Sequence, residues 1–215
     1  MKIIAVNFFK TIYEKPEGED LEAQLKSLKD MPRFFTTEDN VEVWRAVSKD
    51  ELEEVIKGMP KDKSPGPDGW TQEFFLAFFD LVYEDLLRVI EESRTKGKVE
   101  GSLNSTFVAL IPKESKPTSL SDYMPISLCN FVYKVILKII ANHIKRKFKD
   151  CISLEQFGFL KDRLIFDAVG LVQESLHSVK VHKKLGLFLK LDLRKAYDRV
   201  DWNFLRLVLI QIGLD

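Results

Sequence analysis

The sequence predicts an α+β fold, and three observations lead to this class. Several segments place apolar residues at the 3.6-residue spacing of a helix, and three short apolar runs have the character of strands. The two kinds of segment intermix in the second half of the chain. Hydrophobic residues make up 45% and charged residues 31% of the 215 positions, which is usual for a folded domain. The length suits one large domain or two small ones.

The first hundred residues are predicted to be helical. Apolar spacing predicts a helix over 2–13 and a shorter, more polar one over 19–29. Thr37 is a plausible N-cap after the turn-like stretch that precedes it. A further helix over 50–58 has acidic residues in its first turn and Gly58 at its end, as the helix dipole and the C-cap preference favour.

The stretch PGPDG (65–69) predicts a fixed turn. Two prolines and two glycines in five residues exclude both a helix and a central strand. A helix over 71–94 follows, and we expect its phenylalanines to pack in the core. They are Phe74, Phe75, Phe78 and Phe79.

After Gly101 strands join the helices. TFVALIPK (106–113) and 123–128 are predicted strands on either side of a polar loop. A helix is predicted over 163–180 and a strand over 187–193. Asp201 is predicted to cap a last helix that ends at Gly213.

Residues 133–149 give the clearest helical pattern. An apolar stripe is predicted at positions 133, 136, 137, 140, 141, 144 and 148. The basic residues lie roughly opposite or near the helix end, and no acidic residue interrupts them. They are Lys134, Lys138, Lys145, Arg146, Lys147 and Lys149. This basic side is either a solvated surface or a surface that contacts a phosphate backbone.

Charge is distributed unevenly, although the net charge is zero. Residues 1–100 carry 15 basic and 22 acidic side chains, and residues 101–215 carry 18 and 11. A basic half suits a polyanionic partner such as a nucleic acid, whereas two differently charged solvated faces are the alternative.

The compartment is expected to be intracellular. Cys129 and Cys151 provide no disulfide framework and, with three scattered histidines, no zinc pattern. No apolar run reaches the roughly 18–20 residues of a membrane span, and the N-terminus does not have the pattern of a signal peptide, so no membrane association is expected.

Asp192 lies near the end of the predicted strand 187–193. Alternation places it opposite a face made entirely of leucines, which we expect to pack. A carboxylate at a strand end is most often a structural cap or an ion-pair residue. It is also the kind of ligand that Mg²⁺ prefers, although a two-metal site normally shares at least two carboxylates.

Five motifs in order resemble the reverse transcriptases of LINE-type non-LTR retrotransposons, especially those of plants. They are PGPDG (65–69), FVALIPK (107–113), YMPISLCNFVYKVILKIIANHIK (123–145), QFGFLKDR (156–163) and LDLRKAYDRVDW (191–202). The resemblance covers most of the chain from about residue 50. It implies a partial right-hand polymerase, with a helical N-terminal extension over 1–100. Residues 101–215 would be the fingers and the first part of the palm.

The resemblance also implies the ligands: an RNA template, a DNA primer, a deoxynucleoside triphosphate and Mg²⁺. Asp192 matches the first catalytic aspartate, which is a metal ligand. Leu193 would lie near the metal and the triphosphate, and Tyr197 matches the aromatic gate that excludes a 2′-hydroxyl. Lys113 matches a lysine expected near the incoming triphosphate, where a point charge is suitable.

The resemblance implies contacts with template and primer for the QFGF element, and the basic helix end is a candidate for the same contacts because of its charge. The residues are Gln156, Phe157, Gly158, Arg163, Lys145, Arg146 and Lys149. PGPDG matches a motif that could touch the template, but we favour a structural role for it.

Three departures from the family pattern stand out. Met124 occupies the arginine position of YRPISL, and Asp162 occupies a glycine position of QxGFxxGR. The 215 residues contain no counterpart of the later palm motif with its paired aspartates. We therefore expect a piece truncated after the first catalytic palm motif, inactive as a polymerase by itself. A nucleic-acid-binding module without enzymatic activity and a helical protein-interaction module are the alternatives.

Overall fold

The structure, a computed structural model, describes residues 2–14, 20–160, 162–193 and 196–214, without the side chains of residues 2, 149 and 150. The helices are α1 (Lys2–Tyr13), α2 (Leu21–Leu28), α3 (Thr37–Val43), α4 (Lys49–Lys57), α5 (Gln72–Ala77), α6 (Phe79–Lys96), α7 (Phe131–Cys151), α8 (Ile165–Val181) and α9 (Trp202–Gln211). The strands β1 (Thr106–Pro112) and β2 (Tyr123–Cys129) pair antiparallel. The α+β prediction is confirmed. Within the described ranges no helix is long and apolar enough to cross a membrane.

The chain forms two compact units. The first comprises Met1–Phe9 and Thr37–Ile144, and the second comprises Lys10–Thr36 and Lys145–Asp215. Both units are discontinuous in sequence. The division at residue 100 that the sequence predicts stays a prediction.

The core of the first unit joins α4, α5, α6 and α7. Leu52 and Ile56 of α4 are fully buried, and Val135 of α7 is 1% exposed. Phe75 of α5 stacks on Phe131 at the start of α7, with ring centroids 4.8 Å apart. Each large aliphatic side chain buried in this way contributes about 1.5–3 kcal/mol, so these positions dominate the stability of the unit.

The buried face of α7 differs from the predicted stripe. Positions 132, 135, 136, 139 and 143 are buried, whereas Leu137 and Ile140 are substantially exposed. Only Ile136 belongs to both sets. The predicted stripe was wrong in phase, because it omitted Val135 and Ile139, which lie on the buried face together with His143.

Residues 71–94 form two helices rather than the single predicted helix. Phe78 has φ −111° and ψ 20°, which ends α5 and begins α6. Aromatic residues lose side-chain freedom in a helix, so a segment with four of them in six positions is a weak place in a continuous helix. The packing prediction holds for Phe75 and Phe79, which are buried, but Phe78 is 49% exposed.

The second unit is held by α2, α9 and the segments beside them. The backbone N–H groups of Phe34 and Phe35 both donate to the carbonyl of Ile212, at 2.8 and 2.9 Å. Phe35 meets Phe148 edge to face, and Asp201 caps α9 by accepting from the N–H of Phe204 at 2.6 Å, as predicted. Gly213 has φ +93° where the helix ends, which suits glycine.

The predicted strand 187–193 is wrong for this structure. These residues adopt neither helix nor strand, and Leu187, Leu189 and Leu191 are at least 76% exposed. A strand is stabilised by hydrogen bonds to a neighbouring strand and by cover on its apolar face. Within the described part of the chain the sheet contains only β1 and β2, so the leucines do not pack as predicted.

A charged triad links the α3–α4 connection to α7. Arg45 donates to both oxygens of the Glu51 carboxylate at 2.7 Å. His143, which is 6% exposed, places Nε2 2.7 Å from Glu51 Oε1 and Nδ1 2.8 Å from the carbonyl of Val43. The imidazole of His143 is thus held between two groups that accept hydrogen bonds, the Glu51 carboxylate and the Val43 carbonyl.

The triad keeps Glu51 ionised. Burial by itself raises the pKa of Glu51, but the hydrogen bonds and charges of Arg45 and His143 outweigh it and hold the pKa below its ordinary value of 4.5. The ionised carboxylate therefore stabilises the fold above pH 4.5, and this stabilisation is lost as the pH falls through the lower folded-state pKa.

Replacing Glu51 with Gln should lower the free energy of unfolding near neutral pH by about 3 kcal/mol, because the half-buried guanidinium of Arg45 and the buried imidazole of His143 lose their carboxylate partner. It should also flatten the decline in stability on acidification. Denaturant unfolding at a series of pH values measures both effects. Glu53→Gln is the matched control, because Glu53 on the same helix makes only a partly exposed pair with Lys57 and should cost at most about 1 kcal/mol. An acid decline in Glu51→Gln as steep as in the native chain would contradict the assignment.

Candidate nucleic-acid interface and metal position

The β1–β2 hairpin carries Lys113 at the end of its first strand. The backbone N–H of Lys113 donates to the carbonyl of Asp122 at 2.7 Å, and its Nζ donates to the carbonyl of Ser121 at 3.2 Å. The side chain is exposed, so the ammonium group is accessible to an anion.

The loop of this hairpin is stabilised by Asp122. Its Oδ2 accepts from the backbone N–H groups of Ser119 and Thr118, at 2.8 and 2.9 Å. These bonds, with that to Ser119 the stronger, hold the pKa of Asp122 below its ordinary value. The Ser121 carbonyl that accepts a hydrogen bond from Lys113 therefore belongs to a loop that is held by hydrogen bonds of its own.

Met124 lies on an apolar face of the β1–β2 hairpin. It pairs with Ile111, and alternation places Ala109, Ile126 and Phe107 on that side as well. Met124 is 48% exposed and Phe107 58%. Where the family pattern has an arginine, this surface is apolar, and a thioether cannot make the charge-assisted bonds of a guanidinium.

The PGPDG turn docks on Asn130, which sequence reasoning did not select. Asn130 is 3% exposed, accepts from the N–H of Asp68 at 3.1 Å and donates to the carbonyl of Ser102 at 3.0 Å. A Cβ on Gly66 would lie 2.4 Å from the backbone N of Asn130, so only glycine permits the approach. An asparagine between a strand and a helix is a common N-terminal signal, and it could have identified the position.

The QFGF loop is clamped by Arg163. Its guanidinium donates to the carbonyls of Ile152 at 2.9 Å and Gln156 at 2.8 Å, and also to that of Ser153. Gln156 in turn donates from Nε2 to the carbonyl of Gly158 at 3.2 Å. In this conformation Arg163 holds the loop in shape, and its contact with template or primer stays a prediction. Phe157 and Gly158 are half-buried, and their contacts with template or primer also stay predictions.

Two non-glycine residues of the loop have left-handed backbone. Phe159 has φ 66° and Asp162 has φ 65°. The second is the position at which the family pattern has glycine, so the glycine preference there has a conformational basis. Aspartate adopts this region more readily than most side chains.

Tyr197, the predicted gate residue, meets the QFGF loop inside the second unit. The ring of Tyr197 lies edge to face with that of Phe159, with centroids 6.1 Å apart. Tyr197 begins a short 3-10 turn (Tyr197–Arg199) and is 76% exposed. Two motifs 38 residues apart in sequence thus meet through aromatic side chains.

Asp192 and Leu193 are exposed and precede this turn. Among the described residues no group of three or more His, Cys, Asp or Glu side chains is arranged to hold a metal. The position of Asp192 therefore does not fit a complete Mg²⁺ site, because a lone carboxylate does not replace the shared ligands that such a site uses.

The basic end of α7 leads into the same loop. Lys145 and Arg146 are exposed, and the carbonyls that Arg163 binds follow directly after the helix. The side chain of Lys149 lies outside the described residues. Lys113 belongs to the first unit, whereas the residues of the other motifs from Lys145 onward belong to the second.

Comparison with known proteins identifies this region. Residues 111–215 match the family described as "Reverse transcriptase (RNA-dependent DNA polymerase)". The 149 kDa protein of transposon TX1 from Xenopus laevis is 35% identical over 74% of the chain and 12% of its own length. The Pol polyproteins of the type-1 retrotransposable elements R2 from Popillia japonica and R1 from Bradysia coprophila are 24% and 25% identical, over 80% and 71% of the chain and 23% and 15% of theirs.

Residues 111–215 are thus reverse transcriptase sequence. The similarity to the TX1, R1 and R2 proteins supports its recognition as sequence of a LINE-type, non-LTR retrotransposon reverse transcriptase, as the motifs predicted. The chain spans between 12% and 23% of the length of these relatives. They come from a frog and two insects, and the special similarity to plant elements stays a prediction.

Replacing Gly66 with Ala should destabilise the first unit by about 2–3 kcal/mol, because the new methyl group meets backbone atoms that cannot rotate away. Gly101→Ala is the matched control. Its Cβ has nothing within 4 Å, and it shares the same entropic effect on the unfolded chain, so it should be near neutral. Denaturant unfolding followed by far-UV circular dichroism compares the two variants. Equal stability of both would contradict the docking of the turn on Asn130.

Proposed function

We propose that the chain supplies the fingers and the first part of the palm of an RNA-directed DNA polymerase of retrotransposon origin. The observation that carries the proposal is the family match over 111–215, a range that includes Lys113, Asp192 and Tyr197. The ligands would be an RNA template, a DNA primer and a deoxynucleoside triphosphate.

The contact between Tyr197 and Phe159 supports a nucleotide-binding role for this part of the chain. A ring held against the QFGF loop has a restricted position, as steric exclusion of a 2′-hydroxyl requires. Lys113 supplies a mobile positive charge for a triphosphate, since its present partner is a neutral carbonyl. Leu193 would offer its backbone beside the nucleotide.

The basic end of α7 supports contact with a phosphate backbone. Lys145 and Arg146 are exposed there, and Arg163 holds the following loop against the helix end. Each phosphate that such a cation neutralises releases counterions, so binding should weaken steeply with salt.

We further propose that the 215 residues do not polymerise by themselves. The reverse transcriptase family uses a divalent metal, and Asp192 is the residue here that would ligate it. Phosphoryl transfer with two metals needs further carboxylates at the same place, and the described residues do not assemble them. We derive no catalytic step from these residues alone.

A nucleic-acid-binding module without catalysis is the second candidate, and the +7 charge of residues 101–215 favours it. Preference for the primer terminus separates the two functions. Polymerase fingers should bind a primed RNA template more tightly than the same RNA with a fully paired, blunt DNA strand, whereas a general module should not discriminate.

The purified chain should bind a DNA-primed RNA template without extending the primer in Mg²⁺ or Mn²⁺. The triple variant Lys145→Gln, Arg146→Gln, Lys149→Gln should reduce the slope of log K against log salt concentration by about 2–3 in magnitude, because each cation contacts about one phosphate. Fluorescence anisotropy at several salt concentrations measures binding, and a gel assay measures extension.

Lys26→Gln with Lys29→Gln is the control for general charge, because both residues lie in the acidic half of the sequence at the end of α2. It should leave the salt slope unchanged. An equal reduction of the salt slope in the control variant would contradict the proposed interface. Primer extension that disappears in Asp192→Asn would contradict the proposed inactivity.

A further inference from the structure

An apolar pocket opens in the first unit, away from the reverse transcriptase motifs. Its volume is about 200 Å³. The floor consists of core residues from three elements, among them Val47, Ile90 and Ile139, and Trp44 lies at the edge with 40% of its surface exposed. The proposed function does not use this pocket.

Small residues on α6 leave this space open. Ser93 and Gly97 line the pocket on the side of that helix. A Cβ placed on Gly97 would meet nothing within 4 Å, and the hydroxyl of Ser93 is turned to the carbonyl of Val89 at 2.9 Å. A larger residue at position 93 would reduce the volume.

The polar groups of the wall are already paired with protein. Arg45 and His143 bind Glu51, while Arg94 binds Glu91 and the carbonyl of Trp44. A ligand inside the pocket therefore finds few groups that need a new hydrogen bond. An apolar body suits such a surface, because it gains from burial without leaving a polar group unpaired.

The ionisable residues of the wall are all basic, and three of the four are already paired with carboxylates. Among the described residues that line the pocket they are Arg45, Arg94, His143 and Lys98. Lys98 is exposed two residues after the end of α6 and makes no ion pair with a described residue. Lys98 is thus the cation that a bound anion would meet first.

We propose that this pocket binds a small apolar monoanion, of the class of arylalkyl or short aliphatic carboxylates. The apolar body lies on the isoleucine and valine floor beside Trp44, and the carboxylate lies at Lys98. A dry cavity of about 150 Å³ already admits benzene, so a pocket of 200 Å³ accepts one ring with a short chain. Drug-sized ligands need about 300 Å³ or more, which excludes larger molecules.

The test uses 3-phenylpropionate as the probe and the uncharged 3-phenylpropan-1-ol as its matched analogue. In ¹H–¹⁵N NMR spectra the indole N–H of Trp44 should shift saturably, with a Kd of about 1 mM. The indoles of Trp70 and Trp202 serve as internal controls, since neither lines the pocket. The alcohol should bind the native chain at least about threefold more weakly than the acid does. The acid should also bind the Lys98→Gln variant at least about threefold more weakly than it binds the native chain. Both losses are small because an exposed ion pair contributes little.

Two further variants make the outcome decisive. Lys98→Arg should retain binding of the acid, and Ser93→Ile should abolish the Trp44 shift because it fills the pocket. Thr95→Ile on the exposed side of α6 should not change it. Equal shifts at all three tryptophans, or no saturation up to about 10 mM, would overturn the site. Equal binding of acid and alcohol would overturn the assignment of an anion, and does not depend on whether Ser93→Ile folds.

Discussion

Burial of one face of α7 is the interaction on which the first unit depends. Val135, Ile136 and Ile139 enter the same core as Leu52 and Ile56, and Phe131 stacks on Phe75. Asn130 directly precedes this helix and binds the PGPDG turn, while β2 ends one residue earlier. The hairpin with Lys113 therefore takes its support from the helix, and loss of the helix face would release the turn and the hairpin together.

The sequence predicted elements that local pattern determines. Apolar spacing located α1 and α7, an acidic first turn and a closing glycine located α4, and short apolar runs located the two strands, because helices and hairpins use neighbouring residues. The sequence did not predict features that depend on contacts with residues distant in the chain. Residues 187–193 have a strand pattern but no neighbouring strand among the described residues, and His143 is buried because Glu51 supplies its partner 92 residues away.

The candidate site likewise has features that the sequence predicted and others that it could not predict. Motif order correctly identified reverse transcriptase sequence, since ancestry is recorded in residue identity. It could not predict that Arg163 would shape its own loop, or that Tyr197 would meet Phe159, because both depend on backbone geometry after α7. Asp192 occupies the position at which the motif predicts a metal ligand, whereas the described residues assemble no group of three or more His, Cys, Asp or Glu side chains that could hold a metal.

A stable core supports the β1–β2 hairpin, while residues 187–193 pair with no strand among the residues that the structure describes. Hydrogen exchange of the native chain tests this difference directly. The amides of α7 from Val135 to Ile139 should exchange at least about 1,000-fold more slowly than those of residues 187–193, because the former lie in a buried helix and the latter in exposed backbone. Protection of residues 187–193 equal to that of α7 would contradict the account.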